Sequence, residues 1–300
     1  MSEKNKVLVI LGPTAVGKSN VSVKLAKKLK GEIISADSRQ VYRGLNIGTG
    51  KITRKEMGGI PHHLLDVADP KKQFTAFNYA QEARKALTMI YHSGKLPIVV
   101  GGTGFYIDVL VGMALPEVPP NKLLRKKFDK LSKEKLYEML KQKDPDRAKS
   151  IDRNNKLRLI RALEIVKALG KVPKLTNNKQ QTTYNFIYIG IKTDKEELEK
   201  RIYKRLIKRL PGMIREVKNL RRQKLSWKRL HELGLEYRYI AIYLRGKLSK
   251  EEMTAELYKE IKRYSKRQMT WFKRNKSIKW FRPTEFNSIE RYVRMALKGD

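Results

Sequence analysis

Residues Gly12-Pro13-Thr14-Ala15-Val16-Gly17-Lys18-Ser19 match the pattern G-x-x-x-x-G-K-[ST] without a mismatch, and this octapeptide restricts the chain to a narrow set of folds. The pattern works only with a buried strand before it and a helix after it. Val7-Leu8-Val9-Ile10-Leu11 supplies the apolar strand, and Val21, Val23, Leu25 and Leu29 recur at helical spacing behind it. Strand, glycine loop and helix together aim backbone N–H groups and a helix N-terminus at phosphate oxygens. Gly12, Pro13, Thr14, Ala15, Val16, Gly17, Lys18 and Ser19 are therefore the expected diphosphate cradle. Lys18 supplies a point charge and Ser19 a hydroxyl suited to Mg²⁺. A nucleotide-like di- or triphosphate ligand follows.

The rest of the chain continues the alternation. Glu32-Ile33-Ile34-Ser35 reads as a second strand, Phe77 to Tyr91 as a helix, and Leu96-Pro97-Ile98-Val99-Val100 as a strand closed by Gly101-Gly102-Thr103-Gly104. Residues 43–75 read as loops with short helices. Continuous apolar strands imply a parallel sheet covered on both faces. The fold class is α/β, a P-loop NTPase-like parallel sheet with helices on both faces, plus an inserted helical lobe. Pro116-Glu117-Val118-Pro119-Pro120 marks the lobe's start, since this segment cannot continue a helix. Charged helical stretches follow at 121–142 and 153–169. A polar run, Thr176 to Thr183, precedes Phe186 to Ile191, which reads as a strand rejoining the sheet. The expected domains are thus 1–115 with 185–300 as the catalytic core, its C-terminal helical part facing RNA, and 116–184 as the insertion. Helices are expected at 195–222, 235–244 and 249–274, with a last short strand at 278–281.

Charge is the second constraint. The formal net charge is +38. High-temperature adaptation would raise Glu alongside Lys, whereas here the excess is one-sided and points to a polyanionic partner. Residues 1–115 hold 17 basic and 8 acidic groups, leaving 51 and 22 for 116–300. The polyanion site is therefore expected mostly in the second half. No apolar run approaches the roughly 20 residues of a membrane span, and the start of the chain leaves no room for a signal peptide before the first strand. A cytoplasmic location is expected. The absence of cysteine removes disulfides and thiolate zinc sites.

Asp37, after the second strand, can cap the next helix, accept a proton or partner Mg²⁺. No strand-end acid follows Val100, and after Ile191 the first acid is Asp194, which weighs against nucleotide hydrolysis. Arg201, Arg205 and Arg209 stand four residues apart on one helix face. They read either as a solvated basic face or as a source of one guanidinium for a departing diphosphate. Arg158 and Arg161 make a similar pair. From Lys262 to Thr284 there is no acid, while nine basic residues interleave with Tyr264, Trp271, Phe272 and Trp280. Such a segment suits RNA phosphates and unpaired bases, with at least half of the rings expected in the core. His62 and His63 are adjacent and point apart, which disfavours a metal site.

Six segments resemble the tRNA dimethylallyltransferase (tRNA isopentenyltransferase) family in the family's order. They are Gly12–Ser19, Ile34–Tyr42, Pro61–Asp66, Val100–Tyr106, Arg158–Glu164 and Arg267–Phe272. With no cysteine-bearing tail, the chain resembles the compact bacterial type. The resemblance implies transfer of a dimethylallyl group from its diphosphate to N6 of the adenosine 3′ of the tRNA anticodon. It implies Asp37 as general base, Thr14 and Arg205 as stabilisers of the departing diphosphate, and Mg²⁺ at Ser19. It further implies tRNA contacts at Asp37, Ser38, Arg39, Gln40, Gly101, Gly102, Thr103, Tyr106, Leu157, Arg158, Arg161, Arg238, Arg267 and Trp271. Gly234 lies two residues out of the family's usual Gly-Tyr-Arg order, so only Arg238 carries over there, and the helix after Arg205 is slightly short. A monomer is expected, since one site needs no partner subunit. The competing readings are a P-loop small-molecule kinase, an adenylate isopentenyltransferase and an RNA-dependent ATPase. The first two leave the basic second half without a task, and the third leaves Asp37 and Gly101–Gly104 without one.

Overall fold

The computed structural model describes residues 5–173 and 183–299. In chain order the elements are β1 (Asn5–Leu11), α1 (Lys18–Lys28), β2 (Gly31–Ala36), α2 (Arg54–Met57), β3 (His62–His63), α3 (Ala76–His92), β4 (Leu96–Gly101) and α4 (Gly104–Leu110). Then come α5 (Lys122–Asp129), α6 (Lys133–Lys143), α7 (Pro145–Ser150) and α8 (Lys156–Leu169). The chain continues through β5 (Tyr184–Ile191), α9 (Lys195–Arg222), α10 (Trp227–Leu233), α11 (Leu235–Leu244), α12 (Lys250–Phe272), β6 (Lys279–Phe281) and α13 (Phe286–Lys298). The described residues group into two compact units, one within 1–111 and 181–300, the other within 112–180.

In the first unit the six strands form one sheet in the order β3-β2-β4-β1-β5-β6, and every pairing is parallel. The innermost strands carry no polar alternation because both faces are covered: Val7, Leu8, Val9 and Ile10 are wholly buried. Parallel strands place all their C-terminal ends on one edge, where ligands of such sheets bind. Leu11 pairs with Gly101 and Gly190, and Ala36 with Gly101. The register therefore sets the Gly12 loop, the Asp37 turn and the Gly101–Gly104 turn side by side.

Helix α9 buries Leu198, Ile202, Leu206 and Leu210 on one stripe. Helix α12 starts at a capping box in which Ser249 and Glu252 satisfy each other's backbone N–H groups. Helices α4, α10 and α13 were not expected. The first two have seven residues each, too few to show a period, whereas in α13 Phe286, Ile289, Tyr292, Val293, Ala296 and Leu297 recur at helical spacing and pack on the core, a signal the sequence did carry. The helical stretch expected at 121–142 is two helices, because Ser132 caps a new one by accepting the Lys135 N–H.

In the second unit α5, α6 and α8 enclose Leu136, Leu140, Leu159 and Leu163. The polar run expected at Thr176–Thr183 lies outside the described residues except for its last member. No described helix is long and apolar enough to cross a membrane.

Candidate active site

The cradle loop runs from β1 into α1. Ala15 takes a positive φ of 62° and Gly17 one of 107°, turning successive N–H groups into a concavity that suits an anion. The Lys18 ammonium donates to the Gly12 and Pro13 carbonyls at 2.9 and 2.7 Å. Burial, aided by Arg205 and opposed by Asp37, lowers its pKa to about 7. A lysine so held is short of negative charge, and a phosphate would restore it. Ser19 is exposed in the first turn of α1.

Asp37 leaves the end of β2 and caps a turn rather than the expected helix, the next helix being α2 at Arg54: its Oδ1 accepts the N–H groups of Arg39 (2.8 Å) and Gln40 (3.2 Å). Among the described residues Oδ2 has no protein partner. The Ser38 N–H donates to Thr103 Oγ1 at 3.0 Å, which locks the Asp37 turn to the 101–104 turn. Arg39 is anchored through Nε on the Leu233 carbonyl at 2.6 Å, and Gln40 Nε2 reaches the Thr49 carbonyl at 3.4 Å. Tyr106 stacks on Tyr79 with centroids 4.3 Å apart and donates to the Phe74 carbonyl.

One face of α12 closes this edge of the sheet. Buried Gln268 accepts the Thr14 N–H through Oε1 and donates through Nε2 to the Gly102 carbonyl, both at 2.9 Å. Trp271 donates through Nε1 to Asp108 Oδ2 at 2.9 Å. A Cβ at Gly102 would overlap Gln268, and one at Gly104 would overlap Trp271. These two glycines admit the helix rather than a ligand. Of the four rings in this region only Phe272 is fully buried, while Tyr264, Trp271 and Trp280 are half-buried. Lys266, Arg267, Lys273, Arg274, Lys276 and Lys279 are exposed, and Arg274 covers the Trp271 ring at 3.9 Å. Others in the run are paired: Lys262 with Glu199, Arg263 with Glu260 and Arg282 with Asp194.

The arginine row of α9 divides by task. Arg201 is held by Glu197 at 2.7 Å and by the Val16 carbonyl at 3.3 Å. Arg205 and Arg209 instead line a cleft with Thr14, Ala15, Glu236 and the apolar walls Ile202, Leu206, Met213 and Ile261. The Glu236 carboxyl, in the first turn of α11, is pushed up by burial. Opposite it, residues 45–50 are pinned by buried Glu216. Its carboxylate accepts the N–H groups of Asn46 (2.8 Å), Ile47 (2.6 Å) and Gly48 (3.0 Å) and the Tyr237 hydroxyl (2.8 Å).

Sequence reasoning missed Glu216, Glu236 and the bridging role of Gln268. The one acid of α9 beyond Glu199, set among basic residues, was the available signal for Glu216. Arg238 donates to the His231 carbonyl at 3.1 Å. His63 pairs with Glu32 at 2.6 Å, and Lys95 holds the other Glu32 oxygen. No metal-holding group of three His, Cys, Asp or Glu exists among the described residues.

In the second unit Leu157 is 77% exposed and Arg158 is also exposed. Arg161 is committed to Glu164 (3.4 Å) and the Val118 carbonyl (2.8 Å), in a network that Arg125 completes with two bonds to Glu164.

A phosphate cradle at the C-terminal edge of a parallel sheet, flanked by a carboxylate and a pair of arginines, defines an α/β phosphate-loop protein built to handle a phosphorylated group. The IPP transferase family model matches residues 40–275, and the chain belongs to that family. It is 43% identical over 293 residues to a tRNA dimethylallyltransferase of Anoxybacillus flavithermus, covering 96% of this chain and 94% of the relative. The crystal structure of the tRNA isopentenylpyrophosphate transferase of Bacillus halodurans superposes with a TM-score of 0.74 at 35% identity, covering 98% and 97% of the two chains. A eukaryotic dimethylallyltransferase acting on tRNA matches with a TM-score of 0.73 at 30% identity, over 89% of this chain and 69% of its own.

Proposed function

We propose that this protein transfers a dimethylallyl group from dimethylallyl diphosphate to N6 of the adenosine 3′-adjacent to the anticodon in tRNA. The reading rests on the family and on one juxtaposition, an aspartate and a diphosphate cradle at neighbouring strand ends. Asp37 Oδ2 accepts the N6 proton, N6 forms its bond to C1 of the donor, and the C1–O bond breaks. Pyrophosphate departs into the loop Gly12–Ser19, with Thr14, Lys18 and Arg205 meeting its charge. Mg²⁺ suits Ser19: this cation takes few protein ligands beside substrate phosphates, and the exposed hydroxyl has no protein partner among the described residues. When bound it would neutralise diphosphate charge.

In the first unit Asp37 to Gln40, Gly101, Thr103, Tyr106, Arg238, Arg267 and Trp271 are assigned to tRNA. In the second, taken by itself, the exposed Leu157 and Arg158 are assigned to it. The target base leaves its stack to reach the site. The enzyme acts as a cytoplasmic monomer. The kinase and ATPase readings lose ground because the relatives that match over most of the chain carry transferase names.

The test supplies purified protein with Mg²⁺, labelled dimethylallyl diphosphate and unmodified tRNA. Label entering the tRNA, and lost when that adenosine is replaced, supports the reading. ATP hydrolysis with tRNA bound but unlabelled replaces it with the ATPase.

A further inference from the structure

Arg209 is an unexplained charge in the cleft. Its neighbour Arg201, two turns back, is satisfied by a carboxylate and a carbonyl. The Arg209 Nη2 atom is buried and has no hydrogen-bond partner among the described residues. The guanidiniums of Arg205 and Arg209 converge on Gly50, where an added Cβ would overlap both. Gly50 takes a φ of +65°, so the loop that Glu216 pins brings a residue without a side chain against the pair.

Like charges do not approach in a half-buried cleft without a counter-ion, and the nearby carboxylates of Glu56 and Glu216 are already engaged, by Thr53 and by the 45–50 loop. Burial and then Arg205 lower the Arg209 guanidinium to about 10, and burial disfavours the charged form of Glu236. Thr14, already placed at the diphosphate, lines the same cleft. Two planar guanidiniums on adjacent turns can present several N–H groups to one phosphoryl centre, which is the geometry that diphosphates reward.

We propose that Arg209 is a second diphosphate-binding guanidinium, donating to a phosphoryl oxygen of the allylic diphosphate donor beside Arg205. The assignment rests on the prenyl-transfer reading. It makes the α9 face a two-arginine clamp, with Gly50 as the residue that leaves room for it.

Titration calorimetry with inorganic pyrophosphate and Mg²⁺ tests the clamp directly. Arg209→Gln is expected to weaken pyrophosphate binding about 10- to 100-fold, as loss of a charge-assisted hydrogen bond does. The KM for dimethylallyl diphosphate should rise with it, while tRNA affinity and melting temperature stay near those of the parent. Arg209→Lys should recover part of the loss. Unchanged pyrophosphate affinity in a folded Arg209→Gln protein overturns the proposal, as does a lowered melting temperature alone, which would make Arg209 a structural partner of Glu236. If Arg209→Gln does not fold, Arg209→Lys decides: weaker pyrophosphate binding at parental melting supports the clamp, and parental binding overturns it. Failure of the parent reading looks different, since the unaltered protein would then bind pyrophosphate yet move no label into tRNA.

Discussion

Gln268 of α12 and Thr14 of the phosphate loop, 254 residues apart in sequence, are joined by a 2.9 Å hydrogen bond from the Thr14 N–H to Gln268 Oε1. The same amide holds the Gly102 carbonyl through Nε2. A helix that exposes Lys266 and Arg267 to solvent thereby sets the position of a group assigned to the diphosphate. Gln268→Ala is expected to slow single-turnover prenyl transfer by on the order of 10- to 100-fold, the scale of misplaced reacting groups, while tRNA affinity holds. Gln268→Glu keeps the acceptor for Thr14 and loses the donor to Gly102, so it should fall between. A parental rate in Gln268→Ala would reduce the bridge to packing.

Asp37 has two separable tasks. Oδ1 caps the turn through Arg39 and Gln40, and Oδ2 is assigned the proton. Asp37→Asn keeps an acceptor for the turn and cannot take the proton, so its transfer rate should drop by about 10²–10⁴, with tRNA affinity and melting retained. Turnover close to parental would leave Asp37 as a cap only.

Lys18 makes diphosphate binding pH-dependent. Its pKa in the free protein is about 7, and a bound anion favours the ammonium and raises it. Below pH 7 the free protein already holds the proton. Above it, binding must take a proton up, so the Lys18 contribution weakens pyrophosphate affinity by up to about tenfold per pH unit. Arginine stays charged across this range, so Lys18→Arg removes the dependence. The difference between the two proteins in calorimetric proton uptake isolates the effect from titration of pyrophosphate itself, and equal uptake in both would refute it.

Glu216 should be costly to remove. Glu216→Ala strands three loop N–H groups and the Tyr237 hydroxyl, a loss of about 3–5 kcal/mol of stability. Tyr237→Phe deletes one bond and should cost about 1 kcal/mol. Urea unfolding of both variants measures this. A near-neutral Glu216→Ala would mean that water replaces the carboxylate.

The exposed cations of the α12 end should show in salt dependence. Lys266→Glu, Arg267→Glu and Lys273→Glu should each weaken tRNA binding and lower the slope of log Kd against log salt by about 0.7–0.9 per lost phosphate contact. An unaltered slope would move the RNA face elsewhere.

Much of the site was legible before any coordinates. The cradle, Asp37 and the Gly101 turn are local signals at strand ends, and parallel pairing brings strand ends together. Other residues had no local signature. Gly102 read as a tRNA contact, yet it and Gly104 have Gln268 and Trp271 pressed against them, where a Cβ would overlap. Arg161 read as an RNA contact, and its guanidinium is already engaged by Glu164 and Val118. Charge identifies a cation, whereas its partners depend on which helices pack beside it.

The sequence by itself determined the sheet edge and the phosphate loop, because strand hydrophobicity and loop glycines act over a few residues. Tertiary structure alone decided which arginine of an evenly spaced row is satisfied and which faces the cleft. It likewise decided that Glu216 holds a loop about 170 residues earlier in the chain, and that Gln268 ties the C-terminal helix to the cradle. Those are contacts between distant segments, and their energies depend on burial and on unpaired partners that no local pattern encodes.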